Sequence, residues 1–173
     1  MTRTSNEIQH LLDRAAIHDL LARYFQGLDR GDPEQVRGCF TADVHAQYDK
    51  RTPTRGIGEL IDSLQNFNKL REESMKITTH FMGNLNFGRI EGDVAETETN
   101  ALALLVEPGK GGDFVAVRSL RYLDRMRREN SGWLISDRIH TLDWSCEVPA
   151  NFAITLSQRI SVLPQNRDDR ARP

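Results

Sequence analysis

A tyrosine and an aspartate stand five residues apart in Tyr24-Phe25-Gln26-Gly27-Leu28-Asp29, and a histidine, His80, follows in a later apolar stretch. These three types can make an acid/base site that uses neither metal nor organic cofactor. A neutral imidazole titrates near neutrality, so His80 can take a proton from carbon or oxygen if one ring nitrogen is open. Asp29 would fix the ring tautomer and stabilise the imidazolium that forms, and a buried carboxylate itself needs such a partner. A phenol at Tyr24, at Tyr48 or at both can donate a hydrogen bond to an oxygen on which negative charge develops. A base on one side and a donor on the other is the outline of an elimination.

Each residue also has a plainer reading. Asp is favoured at corners, so Asp29 could only end a helix. His80 could be a buried histidine satisfied by one bond, and Tyr24 and Tyr48 could be core residues with the hydroxyl at an edge. Arg118 could project into a cavity and bind an anionic or phenolate oxygen, although Arg121, Arg125, Arg127 and Arg128 nearby suggest a basic outer strand. Phe25 and Trp144 are candidates for a pocket wall or a subunit contact, and Asn100 for a polar contact to substrate. His18 reads as a solvated helix residue, while the facing of His45 and His140 is open.

The elements that would carry these residues follow from periodicity. Leu11, Leu12, Ala15, Ile17, Leu20, Leu21, Tyr24 and Leu28 recur at helical spacing and predict a helix over 6–28 with these residues inside. Asp29-Arg30-Gly31-Asp32 reads as a corner, where Gly31 takes a left-handed conformation cheaply. Asp32-Pro33-Glu34-Gln35 then has the chemistry of a helix start. Val36, Cys39 and Phe40 would be the inner side of that second helix. Val44, Ala46 and Tyr48 alternate with polar residues as in a strand, and a helix is predicted over 57–70 with Leu60, Ile61, Leu64 and Phe67 inside. Strands are expected at 76–88, 93–106, 113–128 and 132–145, separated by short turns that imply antiparallel pairing. Helices first and strands afterwards predict an α+β domain, its helices covering one face of an antiparallel sheet; a sheet curled around them makes a cone able to hold a small molecule. Residues 149–160 are expected to form a short helix or an arm, and 164–173 a disordered tail.

The chain has 173 residues and a net charge of -2, with 38% hydrophobic and 28% charged residues. This fits a single domain of 1–173 with a core and a pocket, and argues against a nucleic-acid partner. No apolar run approaches a membrane span, and the first residues carry no signal-peptide core, so a cytoplasmic protein is expected. Cys39 and Cys146 match no metal-binding spacing and read as ordinary thiols.

The motifs in order are Ala15-Ala16-Ile17-His18-Asp19-Leu20-Leu21-Ala22-Arg23-Tyr24, Leu28-Asp29-Arg30-Gly31-Asp32, Cys39-Phe40-Thr41-Ala42-Asp43-Val44, Thr79-His80-Phe81-Met82-Gly83-Asn84, Arg121-Tyr122-Leu123-Asp124 and Gly132-Trp133-Leu134-Ile135. Together they resemble the SnoaL-like branch of the nuclear transport factor 2-like (NTF2-like) superfamily over roughly residues 10 to 145. Asp29 and His80 look like the dyad of scytalone dehydratase and of hexachlorocyclohexane dehydrochlorinase. Tyr24 looks like a tyrosine of bile-acid 7α-dehydratase, and Tyr48 like the strand tyrosine of scytalone dehydratase. The resemblance implies an NTF2-like cone and a cofactor-independent lyase, a dehydratase or related enzyme, acting on a small cyclic or aromatic molecule. A double-bond isomerase of the same fold, or a non-catalytic small subunit of a ring-hydroxylating dioxygenase or a binding module, remains the alternative, because one fold hosts many functions. It also implies a homo-oligomer, a trimer rather than a dimer.

Overall fold

The computed structural model describes residues 3–72, 77–110, 112–130 and 132–149. Three helices precede or interrupt the first strands and four long strands follow: α1 (Arg3–Arg30), α2 (Pro33–Arg37), β1 (Phe40–Tyr48), β2 (Thr54–Arg55), α3 (Ile57–Glu72), β3 (Ile77–Glu91), β4 (Val94–Glu107), β5 (Phe114–Glu129) and β6 (Gly132–Pro149). The strands form one six-stranded sheet in the order β2-β1-β6-β5-β4-β3. The sheet is curved and unclosed, as expected of an α+β cone. It is mixed rather than wholly antiparallel, because β1 runs parallel to β6. That pair is joined through the whole intervening chain, so no short turn in the sequence announces it.

The helical side is built around α1. Ile17, Leu20, Leu21, Tyr24 and Phe25 are buried against the sheet, and each fully buried aliphatic side chain contributes about 1.5–3 kcal/mol. The first turns of α1 depart from expectation. Leu11, Leu12 and Ala15 are exposed, and the inward position at that level is Asp13. Asp13 accepts from Gln9 Nε2 at 2.9 Å and Trp133 Nε1 at 3.3 Å, and pairs with Arg128 at 2.7 Å. A polar latch therefore sets the rotation of α1 where leucines were expected to.

The corner after α1 forms as its residues dictate. Gly31 has φ +64, and its N–H donates to the Leu28 carbonyl at 3.2 Å. Asp32 caps α2, accepting from the N–H groups of Glu34 at 3.1 Å and Gln35 at 2.9 Å. Gly27 lets the two helices touch, because a Cβ there would stand 2.9 Å from Val36 Cγ2. Val36 and Cys39 are buried as expected, while Phe40 already belongs to β1.

On the sheet, Ala95, Thr97, Thr99, Ala101, Ala103 and Leu105 of β4 are buried, so odd positions face the helices and even ones face outward. Cross-strand pairing carries this through β5 to β6. Register shifts at Met82/Leu85, Phe87/Ile90, Ser119/Leu120 and Arg125/Met126 mark bulges that bend the long strands around α1. The expectations for residues 150–160 and 164–173 lie outside the described residues.

Candidate active site

Asp29 and His80 meet. His80 Nδ1 lies 2.7 Å from Asp29 Oδ1, and the backbone N–H of His80 donates to both Asp29 oxygens at 3.0 Å. Asp29 arrives from the last turn of α1 and His80 from β3, and both side chains are only 10% exposed. An ionised carboxylate only accepts, so Nδ1 carries the proton and Nε2 is left as the basic nitrogen. Phe25, next to Tyr24 on α1, lies over the imidazole with ring centroids 5.7 Å apart.

Tyr24 and Tyr48 also meet, with their hydroxyls 2.9 Å apart in a buried hydrogen bond. One hydroxyl must donate to the other, so only one of the two protons is left for a ligand. The five residues from Asp29 back to Tyr24 advance α1 by about 7 Å, and this is the step along the helix between the phenol pair and the imidazole. Phe25 and Tyr122 bridge it, each packed edge-on against Tyr24, and against each other at 5.2 Å. Burial and the neighbouring Tyr48 raise the Tyr24 pKa well above the ordinary phenol value, with Arg138 opposing. Tyr24 therefore stays protonated.

Arg138 was not among the residues expected to matter. In the sequence it sits in Ser136-Asp137-Arg138-Ile139-His140, where an arginine reads as solvated. In the fold it faces inward with no exposed surface, held by Asp124 through two hydrogen bonds of 2.7 Å. Its Cζ lies 4.1 Å from the centroid of Tyr24, 4.8 Å from that of Tyr122 and 5.2 Å from that of Phe40. Burial disfavours the charge, but Asp124 outweighs it and keeps the guanidinium a cation. A fixed positive charge thus sits against the ring of the proposed donor. The inward repetition at Asp124, paired with Arg138 across β5 and β6, is the signal that could have found it.

His140 was a histidine of unknown facing, and it is buried. It stacks on Tyr48 with centroids 5.1 Å apart and stands edge-on to Tyr122 at 4.9 Å. Its Nδ1 lies 3.3 Å from Asp49 Oδ1, close enough for an ion pair but without the alignment of a hydrogen bond. Burial pushes its pKa down to about 4, against the pull of Asp49, so the ring is neutral at pH 7. Among the described residues, the Thr97 and Thr99 hydroxyls and Arg138 Nη1 have no hydrogen-bond partner, which leaves the inner face with polar capacity for a ligand.

The other expected residues divide between the two faces. Arg118 is on the inner face, partly buried, paired with buried Ala103 across the ladder. Asn100 is on the outer face, because the alternation of β4 is unbroken between Thr97 and Ala103, so the expected contact to substrate inside the cone is corrected. Trp144 is also on the outer face and 53% exposed, which corrects its place in a pocket wall. His140 and Leu142 point inward, and simple alternation would take Trp144 with them, but the bulge beside Leu120 pairs Trp144 with Ser119 and turns it out. An open outer groove of about 580 Å³, lined by residues including His45, Gln47, Glu98, Arg125 and Ile139, contains none of the expected site residues. Among the described residues, no group of three or more His, Cys, Asp or Glu could hold a metal ion, and no helix is long and apolar enough to cross a membrane.

A family profile described as SnoaL-like domain matches residues 9–139. Among solved structures, a hexachlorocyclohexane dehydrochlorinase (LinA) type 2 superposes with a TM-score of 0.72 at 17% identity, covering 88% of this chain and 97% of the other. A candidate scytalone dehydratase from Novosphingobium aromaticivorans has a TM-score of 0.67 at 18% identity, covering 79% and 88%. An NTF2-like protein with a cystatin-like fold from the same species has a TM-score of 0.66 at 22% identity, covering 83% and 90%. At these identities the likeness is one of fold. No curated protein matches the sequence significantly.

Proposed function

The chain belongs to the SnoaL-like domain family of NTF2-like fold, and from that premise we propose that it is a lyase that eliminates water or another small group from a cyclic or aromatic molecule. The observation that carries this reading is the 2.7 Å contact between His80 Nδ1 and Asp29, which leaves Nε2 basic beside an aromatic-lined interior. Two solved structures of like fold bear the names of a dehydrochlorinase and a scytalone dehydratase, both eliminating enzymes by name.

In this reading Nε2 of His80 takes a proton from carbon, and the electron pair of that C–H bond forms the new double bond. The leaving oxygen departs with a proton supplied through the Tyr24–Tyr48 pair, giving water. Asp29 holds the imidazolium, Arg138 stabilises the negative charge left on the phenol pair when its proton departs, and the proton taken by His80 returns to the phenols through solvent before the next turnover. Ring alcohols bearing the hydroxyl β to a carbonyl are the compounds to screen, by mass loss of one water in deuterated buffer. His80→Gln should lower turnover about 100-fold or more while the protein stays folded. A variant with near-normal turnover on the same compound would sink the assignment, and product of unchanged mass apart from exchange would make the enzyme an isomerase.

Assembly as a homotrimer and a cytoplasmic setting belong to the same proposal. The outer sheet face exposes Phe81 and Leu102 on neighbouring strands and Trp144 two strands on, apolar surface suited to self-association. Cys39 and Cys146 are both unbridged thiols, as suits a reducing compartment. Sedimentation showing a monomer at micromolar concentration would rule the trimer out.

A further inference from the structure

Tyr48 and His140 are partners across β1 and β6, and their rings stack with centroids 5.1 Å apart and planes 27° from parallel. The residue after Tyr48 breaks the alternation of the strand. Asp49 has φ +52, a left-handed conformation that Asp tolerates better than most side chains. In extended backbone its carboxylate would point to the face opposite Tyr48. The turn instead brings Asp49 Oδ1 to 3.3 Å from His140 Nδ1, while the Asp49 N–H donates to the His140 carbonyl at 2.8 Å. The same turn returns Arg51, whose N–H donates to the Tyr48 carbonyl at 3.0 Å and whose Cζ lies 5.2 Å from the centre of the Tyr48 ring. The turn after β1 thus packs back onto the ring that ends the strand.

The phenol pair also has a direction. Tyr24 has no exposed surface, whereas Tyr48 keeps 8%. Among the described residues each hydroxyl finds only the other, 2.9 Å away. If Tyr48 donated, the Tyr24 proton would be fully buried without an acceptor, which costs more than leaving the proton of the less buried phenol unpaired. The Arg138 cation, 4.1 Å from the centre of the Tyr24 ring, polarises that phenol toward donating as well. Tyr24 then gives its proton to Tyr48, and the Tyr48 proton is the one left for a ligand. A phenolic O–H lies in the plane of its ring, because the oxygen is conjugated with it, so the twist of the ring fixes where the proton points. We propose that Asp49 and His140 are positioning residues that hold the Tyr48 ring, making Tyr48 the outer donor of the pair and Tyr24 the inner one that orients it. The assignment rests on the reading of the phenols as the proton source of the elimination. His140 acts through the face of Tyr48, and Asp49 acts through His140 by keeping Nδ1 toward the turn; neither touches substrate. Two costs, a left-handed Asp49 and a buried His140 Nδ1 without a hydrogen bond, are thereby accounted for together.

The test is nuclear magnetic resonance of the full chain without ligand, its tyrosines isotopically labelled at Cζ and on the ring, in equal parts of light and heavy water. A hydroxyl that exchanges slowly splits its Cζ signal in two, and one that exchanges fast gives a single line. Tyr24 should be split and Tyr48 single. His140→Ala should speed flipping of the Tyr48 ring about tenfold, the scale of one lost ring contact, and leave that of Tyr24 as it was. His140→Phe should restore slow flipping. Asp49→Gly, which keeps the left-handed turn and removes the carboxylate, should loosen the Tyr48 ring in the same sense, and it supplies the comparison should His140→Ala fail to fold. A split Tyr48 beside a single Tyr24 would overturn the proposal by reversing the direction of the pair. Tyr48 flipping untouched by the variants, or Tyr24 and Tyr48 loosened alike, would overturn it by removing the positioning role. Because no turnover is measured, a failed elimination would leave this result standing, and a Tyr48 ring that His140 does not hold would leave the reading of His80 as base intact.

Discussion

The guanidinium of Arg138 lies 4.1 Å over the ring of Tyr24 while both its Nε and Nη2 are bonded to Asp124 at 2.7 Å. One buried ion pair therefore serves two tasks, closing the interior of the sheet and placing positive charge against a phenol. Breaking such a pair from one side leaves an uncompensated buried charge. Asp124→Ala should cost about 3–5 kcal/mol in denaturant unfolding, and replacing both partners by apolar residues should recover much of it. A loss under 1 kcal/mol for the single variant would show that water reaches the pair.

The two phenols share one hydrogen bond of 2.9 Å, so they should behave as a unit. Tyr24→Phe and Tyr48→Phe are each expected to lower kcat about 100-fold, the usual effect of losing a preorganised donor. The double variant should lose little more than either single one, because the remaining hydroxyl of each has lost its orientation. Independent, multiplying effects measured in steady-state kinetics would argue that the two hydroxyls act separately and not as one unit.

His140 predicts a stability profile. Its folded pKa is about 4 against an ordinary value of about 6.5, so the folded protein binds fewer protons than the unfolded chain between these limits. Stability from this group is complete above the unfolded value and falls as pH drops from about 6.5 to about 4, by a few kcal/mol in all. His140→Phe, which keeps the stack on Tyr48, should flatten the unfolding midpoint against pH in that window. An unchanged slope would assign it to other groups.

Asp29 fixes the tautomer of His80, so Asp29→Asn should reduce kcat by about 100-fold without matching damage to KM. An amide can offer its N–H to Nδ1 and so favour the wrong tautomer. Turnover within threefold of the parent protein would remove Asp29 from the mechanism.

The pairing of Asp29 with His80 was legible because a carboxylate at the end of an apolar helical stripe and a histidine in a strand both need partners. The order of elements was legible for the same reason, since the hydrophobic period switches from 3.6 to 2 after the corner at Gly31. Three matters were not. The phase of α1 near Asp13 depends on Arg128 and Trp133, which are far away in sequence and supply the partners that let a carboxylate replace a leucine. Arg138 is inside only because register places Asp124 beside it, and no local property of the sequence around Arg138 reports that register. Trp144 is outside because one extra residue in β6 reverses the alternation, and bulges leave almost no trace in composition.

Among the described residues β3 is the last strand of the sheet, with β4 beside it, and it carries His80. The His80 N–H is satisfied by the two oxygens of Asp29 at 3.0 Å, so a side chain on α1 clasps the backbone beside the base. This makes one amide a gauge of the site. Its hydrogen exchange in the native protein measures how often α1 lets go of the edge, and therefore how often the base is without its carboxylate. Motions that release ligand past this edge would be visible at that single proton, long before any loss of the fold as a whole.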